Sequence, residues 1–113
     1  MGTTDPWEMA RQLNCKFSWV NGTDDLQHAL QIIKLVEEIG EVAQALIGQQ
    51  GQNPRKGFSH TREDVAKELC DVIITAMVAL HNYAESGQRF FQQHCERITQ
   101  RDLNGTAWDP RTE

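Results

Sequence analysis

The sequence lacks the features that mark secreted, disulfide-rich or membrane-spanning proteins. Its three cysteines, Cys15, Cys70 and Cys95, are an odd number without C-x-x-C spacing, so neither a disulfide framework nor a zinc site is indicated. We expect three free thiols, with Cys70 in the core. The longest nearly apolar stretch, 72–80, is far shorter than the roughly 20 residues of a membrane-spanning helix. With no signal-peptide pattern at the N-terminus, we expect a cytoplasmic protein.

Basic residues are also too few for a protein that coats nucleic acid. The formal net charge is -5, whereas neutralising a phosphate backbone needs a basic surface. We therefore expect no nucleic-acid partner. An acidic chain can still bind a phosphorylated small molecule if a metal ion lies between the two negatively charged partners.

Runs of alternating β-branched residues are missing as well, so no sheet is indicated. The length of 113 residues fits one domain, 1–113. Apolar residues recur at steps of three and four, which is typical of amphipathic helices. We predict an all-α, four-helix, bundle-like domain with an irregular tail from about residue 104.

The predicted helix boundaries follow from capping and turn residues. A first helix begins at Thr4 or Asp5 and ends at about Cys15, because an Asn-Gly turn dipeptide lies in the segment 16–24. A second helix covers about 25–47. Its predicted core-facing stripe consists of Ile32, Leu35, Ile39, Val42 and Leu46.

The segment 48–59 has three glycines and a proline and is predicted to be a loop. It is long for a connection between helices, and such loops often serve as lids. A third helix, capped by Ser59 or Thr61, is predicted to run to about Tyr83, and a fourth over about 88–102.

Two acidic pairs occur at the same spacing in the second and third helices. With an offset of thirty positions, Glu38 matches Glu68 and Glu41 matches Asp71. Residues i and i+3 lie about 60° apart on a helix, so each pair can contact one cation. If the two helices pack antiparallel, all four carboxylates line one groove between helices 2 and 3 and offer the oxygen ligands that Mg²⁺ prefers.

The same spacing also fits a solvated helix face, which is the usual location of charged residues. Lys34 precedes Glu38, and Lys67 precedes Asp71, by the four residues of a helical ion pair. Repetition of the acidic pair at the same angle beside two apolar stripes favours the metal site. Gathered like charges are destabilising unless a cation compensates them.

The acidic pattern resembles the signature of the MazG-like all-α nucleoside triphosphate pyrophosphohydrolases. That signature, E-E-x-x-E followed by E-x-x-D, stands here as EEIGE at 37–41 and ELCD at 68–71. The resemblance covers about 26–102. It implies hydrolysis of a (deoxy)nucleoside triphosphate to the monophosphate and pyrophosphate, or of phosphoribosyl-ATP or another nucleotide derivative.

The resemblance also implies roles for the individual acids. Glu38, Glu41, Glu68 and Asp71 would be ligands of Mg²⁺, or of Mn²⁺ in its place. Glu37 and Glu38 would be the catalytic residues, with Glu37 as a second-metal ligand or as the base that orients water. The base and sugar preference of the substrate does not follow from these residues.

Three residues are candidates for contacts to the nucleoside. Trp19, just before the second helix, offers a ring for stacking on a base, although tryptophan is more often a core or interface residue. His28 lies ten residues before Glu38 on the same predicted helix, where a surface histidine is the alternative. Asn82 is a weaker candidate for the base or ribose.

Four basic residues are candidates for contacts to phosphate. Arg55 and Lys56 lie in the glycine-rich loop, and Arg97 and Arg101 lie one turn apart on the predicted fourth helix, where MazG-like proteins often carry basic residues. For each, a solvated charge is the alternative interpretation.

A helical chain with acidic pairs also fits two other classes of protein, a di-iron bundle and a non-catalytic interaction module. A ferritin-like di-iron bundle requires E-x-x-H on two helices, and neither His81 nor His94 follows an acid by three residues. A non-catalytic helical interaction module would use Ile39 and Val42 to bind a partner chain.

Four helices in 113 residues make a thin core. Since members of the MazG-like family form dimers or tetramers, we expect a homodimer or homotetramer, with a nucleotide as the small-molecule partner.

Overall fold

The computed structural model describes residues 4–103 and 111, and these residues form helices and no strand. The helices are α1 (Pro6–Asn21), α2 (Asp25–Gln50), α3 (Arg62–Leu80) and α4 (Gly87–Ile98), and a π-helical turn (Thr99–Leu103) follows α4. The prediction of an all-α chain with four helices is confirmed. Apart from Arg111, the tail from 104 lies outside the described residues. None of the described helices has the length and hydropathy to cross a membrane.

The first helix is longer than the sequence pattern predicts. Asp5 caps its N-terminus by accepting the Trp7 N–H at 3.0 Å, but the predicted end at Cys15 is wrong. The helix continues to Asn21, where Gly22 adopts φ 98° and donates its N–H to the Ser18 carbonyl. No helix-breaking residue precedes Gly22, so the Asn-Gly dipeptide ends α1 rather than lying within a separate turn segment.

The second helix also continues past its predicted end. Gly48 lies within α2, and the helix ends at Gly51, which adopts the left-handed conformation with φ 66°. A Cβ at Gly48 would collide with the side chains of Ser59 and His60. The absence of a side chain at Gly48 therefore allows the loop to approach the helix. The prediction that Gly48 ends α2 is wrong, because this glycine serves packing and not helix termination.

The third helix begins with the predicted capping box. Thr61 Oγ1 accepts the Asp64 N–H at 3.2 Å, and Asp64 Oδ2 accepts the Thr61 N–H at 2.9 Å. Because the start of α3 lies beside Gly48 near the end of α2, the two helices run antiparallel.

The packing of α2 and α1 on α3 forms the body of the fold. The fourth helix approaches this body through an aromatic contact, in which the Phe91 ring centroid lies 5.6 Å from that of Trp7. Its first residue, Gly87, lies close to His81 and Trp7. The α2–α3 pair is therefore the scaffold that carries the acidic residues.

The core is thinner than predicted. Its buried apolar residues are the small side chains Ala10, Ala45, Val78 and Ala79. Within the predicted stripe of α2, Leu35 and Val42 are half-buried, but the remaining members, Ile32, Ile39 and Leu46, are exposed.

The prediction for the cysteines holds only in part. All three thiols are free, but Cys70 is exposed rather than buried in the core. The buried side of α3 lies elsewhere on the helix, at Val78 and Ala79.

Candidate metal centre

Three carboxylates meet where α2 packs against α3. Glu38 and Glu41 come from successive turns of α2, and Glu68 comes from α3. Each offers one oxygen, and these three oxygens all lie within 4.8 Å of one another. Glu38 and Glu68 are half-buried, whereas Glu41 is exposed. We call these three residues the acidic cluster.

Asp71 lies outside this group of mutually close oxygens, although the sequence pattern pairs it with Glu41. It is nevertheless near enough for its charge to raise the pKa of both Glu38 and Glu68. Asp71 is therefore an electrostatic neighbour of the acidic cluster.

Burial and mutual repulsion disfavour ionisation of two members of the cluster. Burial raises the pKa of Glu38, and the charges of Glu41, Asp71 and Glu68 raise it further. Burial likewise raises the pKa of Glu68, with Glu41 and Asp71 adding to the effect, whereas His60 acts in the opposite direction. Bringing these acids together therefore costs free energy that a cation would offset.

One oxygen of the cluster has no partner. Glu68 Oε2 is shielded from solvent and makes no hydrogen bond. A buried polar atom without a partner is costly, and a bound cation is one group that satisfies a carboxylate oxygen. Three carboxylates from two helices are also the donor type that hard divalent ions prefer. The residues present therefore fit Mg²⁺ or Mn²⁺.

The lysines that could have neutralised these acids have other contacts. Lys34 Nζ lies 5.4 Å from the centroid of the Phe17 ring, and Lys67 Nζ lies 3.9 Å from Glu63. Among the described residues, no side-chain ion pair includes a member of the acidic cluster. The ion-pair alternative for Glu38 and Asp71 therefore does not account for the arrangement.

Glu37 points to a different surface from the acidic cluster. It lines a cavity of about 290 Å³ between the end of α1 and the start of α2, together with Phe17, Gln31 and Lys34. The structure therefore does not bring Glu37 together with the other predicted site acids.

The three nucleoside candidates lie in different environments. Trp19 is 89% exposed and belongs to the last turn of α1, not to a segment before α2. His28 is half-buried, with its ring centroid 6.4 Å from that of Tyr83. Asn82 hydrogen-bonds Asn14 and Gln31, so its amide already has a structural role.

Of the phosphate candidates, Lys56 lies closest in the fold to the start of α3. It lines a cavity of about 270 Å³ with Gln44, Ser59 and His60. His60 belongs both to this cavity and to the electrostatic environment of Glu68, so the cavity and the acidic cluster are neighbours.

The two arginines do not share one helix face as predicted. Arg97 is exposed in the last turn of α4. Arg101 lies in the π-helical turn beyond α4, where its Nε is 2.7 Å from Asp102 Oδ1. Asp102 therefore pairs with the Arg101 guanidinium, which the sequence pattern had suggested as a contact for phosphate.

His60 is not among the candidates that the sequence pattern suggests, although its position next to a helix cap could have pointed to it. It immediately precedes the Thr61 cap of the helix that carries Glu68, at the end of the glycine-rich loop. Its Nδ1 lies 2.9 Å from Ser59 Oγ. Loop residues next to a rigid helix often contact ligands, and histidine can donate or accept hydrogen bonds there.

The chain matches no family model, no curated protein and no solved structure. The fold and the site define an all-α chain of four helices with an acidic cluster where α2 packs against α3. The resemblance to the MazG-like hydrolases rests on the acidic pattern and its helical setting.

Proposed function

We propose that this chain is a Mg²⁺-dependent nucleotide pyrophosphohydrolase that converts a (deoxy)nucleoside triphosphate to the monophosphate and pyrophosphate. The observation that carries the proposal is the approach of Glu38, Glu41 and Glu68 to within 4.8 Å across two helices. The buried Glu68 Oε2, which has no hydrogen-bond partner, supports it, because a bound cation is one group that would satisfy this oxygen.

Glu38, Glu41 and Glu68 would hold the ion, and Asp71, which lies outside this close group, would become a fourth ligand only if its side chain moved towards them. When bound, the ion neutralises triphosphate charge, polarises a P–O bond and lowers the pKa of bound water. The chain itself supplies position and electrostatics, which dominate phosphoryl transfer. Glu37 lines a cavity on a different surface, so this proposal gives it no role in orienting the attacking water.

The cavity beside the acidic cluster is the proposed phosphate-binding region. Lys56 brings the positive charge that an otherwise acidic surface needs in order to hold a triphosphate, and His60 adds an imidazole to the lining of the same cavity. Trp19 and His28 remain the candidates for contact with the nucleoside, whereas the Asn82 amide is already hydrogen-bonded to Asn14 and Gln31. Cleavage of phosphoribosyl-ATP or another nucleotide derivative would use the same residues.

A second candidate is a non-catalytic helical interaction module. The observation that favours it is the exposure of Ile39, which leaves an apolar surface on α2.

Pyrophosphate release from a panel of nucleotides tests the proposal. We expect Mg²⁺-dependent release from at least one nucleotide, and its loss in Glu38→Gln with the helical circular dichroism unchanged. Glu63→Gln is the matched control, because Glu63 is an exposed acid on α3 that pairs with Lys67. Absence of release from every nucleotide, with Mg²⁺ and with Mn²⁺, would contradict the hydrolase and favour the module.

A further inference from the structure

A cavity of about 290 Å³ lies where the end of α1 meets the first turns of α2, on a different surface from the acidic cluster. We call it the α1–α2 cavity. Its volume is close to the lower limit of about 300 Å³ for small-molecule sites. The cavity therefore suits a small metabolite rather than a whole nucleotide.

Two side chains of opposite charge line this cavity without pairing with each other. Lys34 and Glu37 are three residues apart on α2, a spacing at which helical ion pairs form. Lys34 Nζ instead lies 5.4 Å from the centroid of the Phe17 ring, and Glu37 pairs with no cation among the described residues. Both side chains are exposed, so both charges are available to a ligand.

The two charges of the lining cancel, and this balance selects the class of ligand. A triphosphate would bring negative charge close to Glu37, a polyamine would bring positive charge close to Lys34, and like charges at close range repel. A zwitterion avoids both repulsions, because its ammonium group can lie beside Glu37 while its carboxylate lies beside Lys34. The α1–α2 cavity therefore favours a dipolar ligand that carries both charges.

The cavity also has an apolar surface. Phe17, Leu30 and Ile33 line it; Phe17 is half-buried, whereas Leu30 and Ile33 are exposed. An apolar group of a ligand that covers Leu30 and Ile33 removes apolar area from water, which favours binding. The lining thus combines an apolar surface with two opposite charges.

One wall of the cavity is held in place by a contact with the end of α3. Gln31 lines the cavity, and its Oε1 accepts a hydrogen bond from Asn82 Nδ2 at 2.6 Å. Asn21 and Gln27 also line the cavity, and their side-chain amides form no hydrogen bond with another described residue. These two amides can donate to a carboxylate and accept from an ammonium group.

We propose that the α1–α2 cavity binds a free α-amino acid with an apolar side chain. Lys34 contacts the carboxylate of the ligand, Glu37 contacts its ammonium group, and Leu30 and Ile33 pack against its side chain. This assignment gives Glu37 a role on its own surface, separate from that of Glu38, the next residue along α2.

The inference does not rest on the proposed hydrolase. Neither Lys34 nor Glu37 belongs to the acidic cluster, and the contact of an amino acid with these two charges needs no divalent cation. Binding measured in EDTA without nucleotide therefore decides the amino-acid site, whereas pyrophosphate release decides the hydrolase.

A nuclear magnetic resonance titration of the isotope-labelled full chain with L-leucine in EDTA tests the site. Two analogues of leucine separate its charges: isocaproate lacks the amino group, and isoamylamine lacks the carboxylate. We expect each analogue to bind about tenfold or more weakly than leucine, because it leaves either Glu37 or Lys34 without a partner. Equal binding of leucine and of either analogue would overturn the assignment.

Substitution of the two charged residues tests the same contacts from the side of the protein. Lys34→Gln and Glu37→Gln should each raise the dissociation constant for leucine about tenfold or more, with helical circular dichroism unchanged, since both side chains are exposed. Lys67→Gln and Glu63→Gln are the matched controls, because this pair of opposite charges lies on α3, outside the cavity. They should leave the dissociation constant unchanged.

Three results would contradict the amino-acid site. The first is the absence of any shift of amide signals with leucine, isoleucine and phenylalanine. The second is binding of a nucleoside in the cavity with no binding of these amino acids. The third is a control variant on α3 that weakens leucine binding as much as the cavity variants do.

Discussion

The side chains of Asn82 and Gln31 join the end of α3 to α2 through a hydrogen bond in which Asn82 Nδ2 donates to Gln31 Oε1 over 2.6 Å. Asn82 Oδ1 in turn accepts from Asn14 Nδ2 of α1 at 2.8 Å. Both hydrogen bonds are partly buried. One amide therefore links three helices.

Asn82→Ala should lower the free energy of unfolding by about 1–3 kcal/mol, because two part-buried amides lose their partner. Urea unfolding measures the loss. A double-mutant cycle with Gln31→Ala isolates the pair, since residues in contact couple. If the double variant loses as much stability as the two single variants added together, the side chains do not interact and the contact is contradicted.

Relative to the parent protein, Glu68→Gln should be more stable without divalent cation and should lose this advantage when the cation is added. In EDTA the variant should have a higher midpoint of thermal unfolding than the parent protein, because one repelling charge is removed from the acidic cluster. Added Mg²⁺ should raise the midpoint of the parent protein but not that of the variant. Glu63→Gln, on the same helix, should respond to Mg²⁺ like the parent protein. An equal Mg²⁺ response in all three proteins would count against the metal centre.

The pH dependence of stability should report the same repulsion. The folded-state pKa of Glu38 and of Glu68 is raised above the ordinary value of 4.5. Each group therefore stabilises the fold at pH values below 4.5, and this contribution is lost as the pH rises through the raised folded-state pKa.

Chemical unfolding in EDTA over the acidic pH range measures this loss. The parent protein should lose stability, relative to a Glu38→Gln, Glu68→Gln double variant, as the pH rises above 4.5. Because all other titrating groups are shared, the difference isolates the cluster. A difference that stays constant with pH would show that these carboxylates ionise normally.

Thr61→Ala should lower the free energy of unfolding by about 1 kcal/mol, because α3 loses the cap that accepts the Asp64 N–H. Thr61→Ser keeps the hydroxyl and is the matched control. Thermal unfolding of the two variants makes the comparison, and an equal loss in both would mean that the hydroxyl does not cap the helix.

Two glycines of α2 should respond differently to alanine. Gly48→Ala should destabilise the fold by about 1–3 kcal/mol, because its Cβ would collide with Ser59 and His60. Gly40→Ala meets no atom within 4 Å and should stabilise the helix by about 0.5–1 kcal/mol. Urea unfolding of the two variants at one protein concentration measures both effects. Similar values for the two variants would contradict the close loop contact at Gly48.

What the sequence predicts well depends on local rules. The helices, the Thr61 cap and the approach of Glu38 to Glu68 follow from apolar periodicity, capping and the i, i+3 spacing of acids on two antiparallel helices. These features need no knowledge of which other residues lie nearby.

What the sequence predicts poorly depends on partners that are distant along the chain. Gly48 lies within α2 because the loop packs on it, and Asn82 is occupied by Asn14 and Gln31. Ile39 has the periodicity of a core residue but lies on the open side of α2. Periodicity shows which apolar side chains share one face of a helix, but the tertiary structure decides what covers that face.

The two ends of the loop after α2 are hydrogen-bonded to the same backbone carbonyl. The Gly48 carbonyl accepts the N–H of Gly51 at 3.3 Å and that of Ser59 at 3.0 Å. The chain between these two donors therefore leaves α2 and returns to it at the same carbonyl. Lengthening such a loop costs only about 0.6 kcal/mol of closure free energy for each doubling of length, added to the loss of the Asn53 turn, whose carbonyl accepts the N–H of Lys56 and of Gly57. The tip is thus the segment in which the protein can gain residues, and with them new ligand contacts, while the spacing of its acids stays fixed.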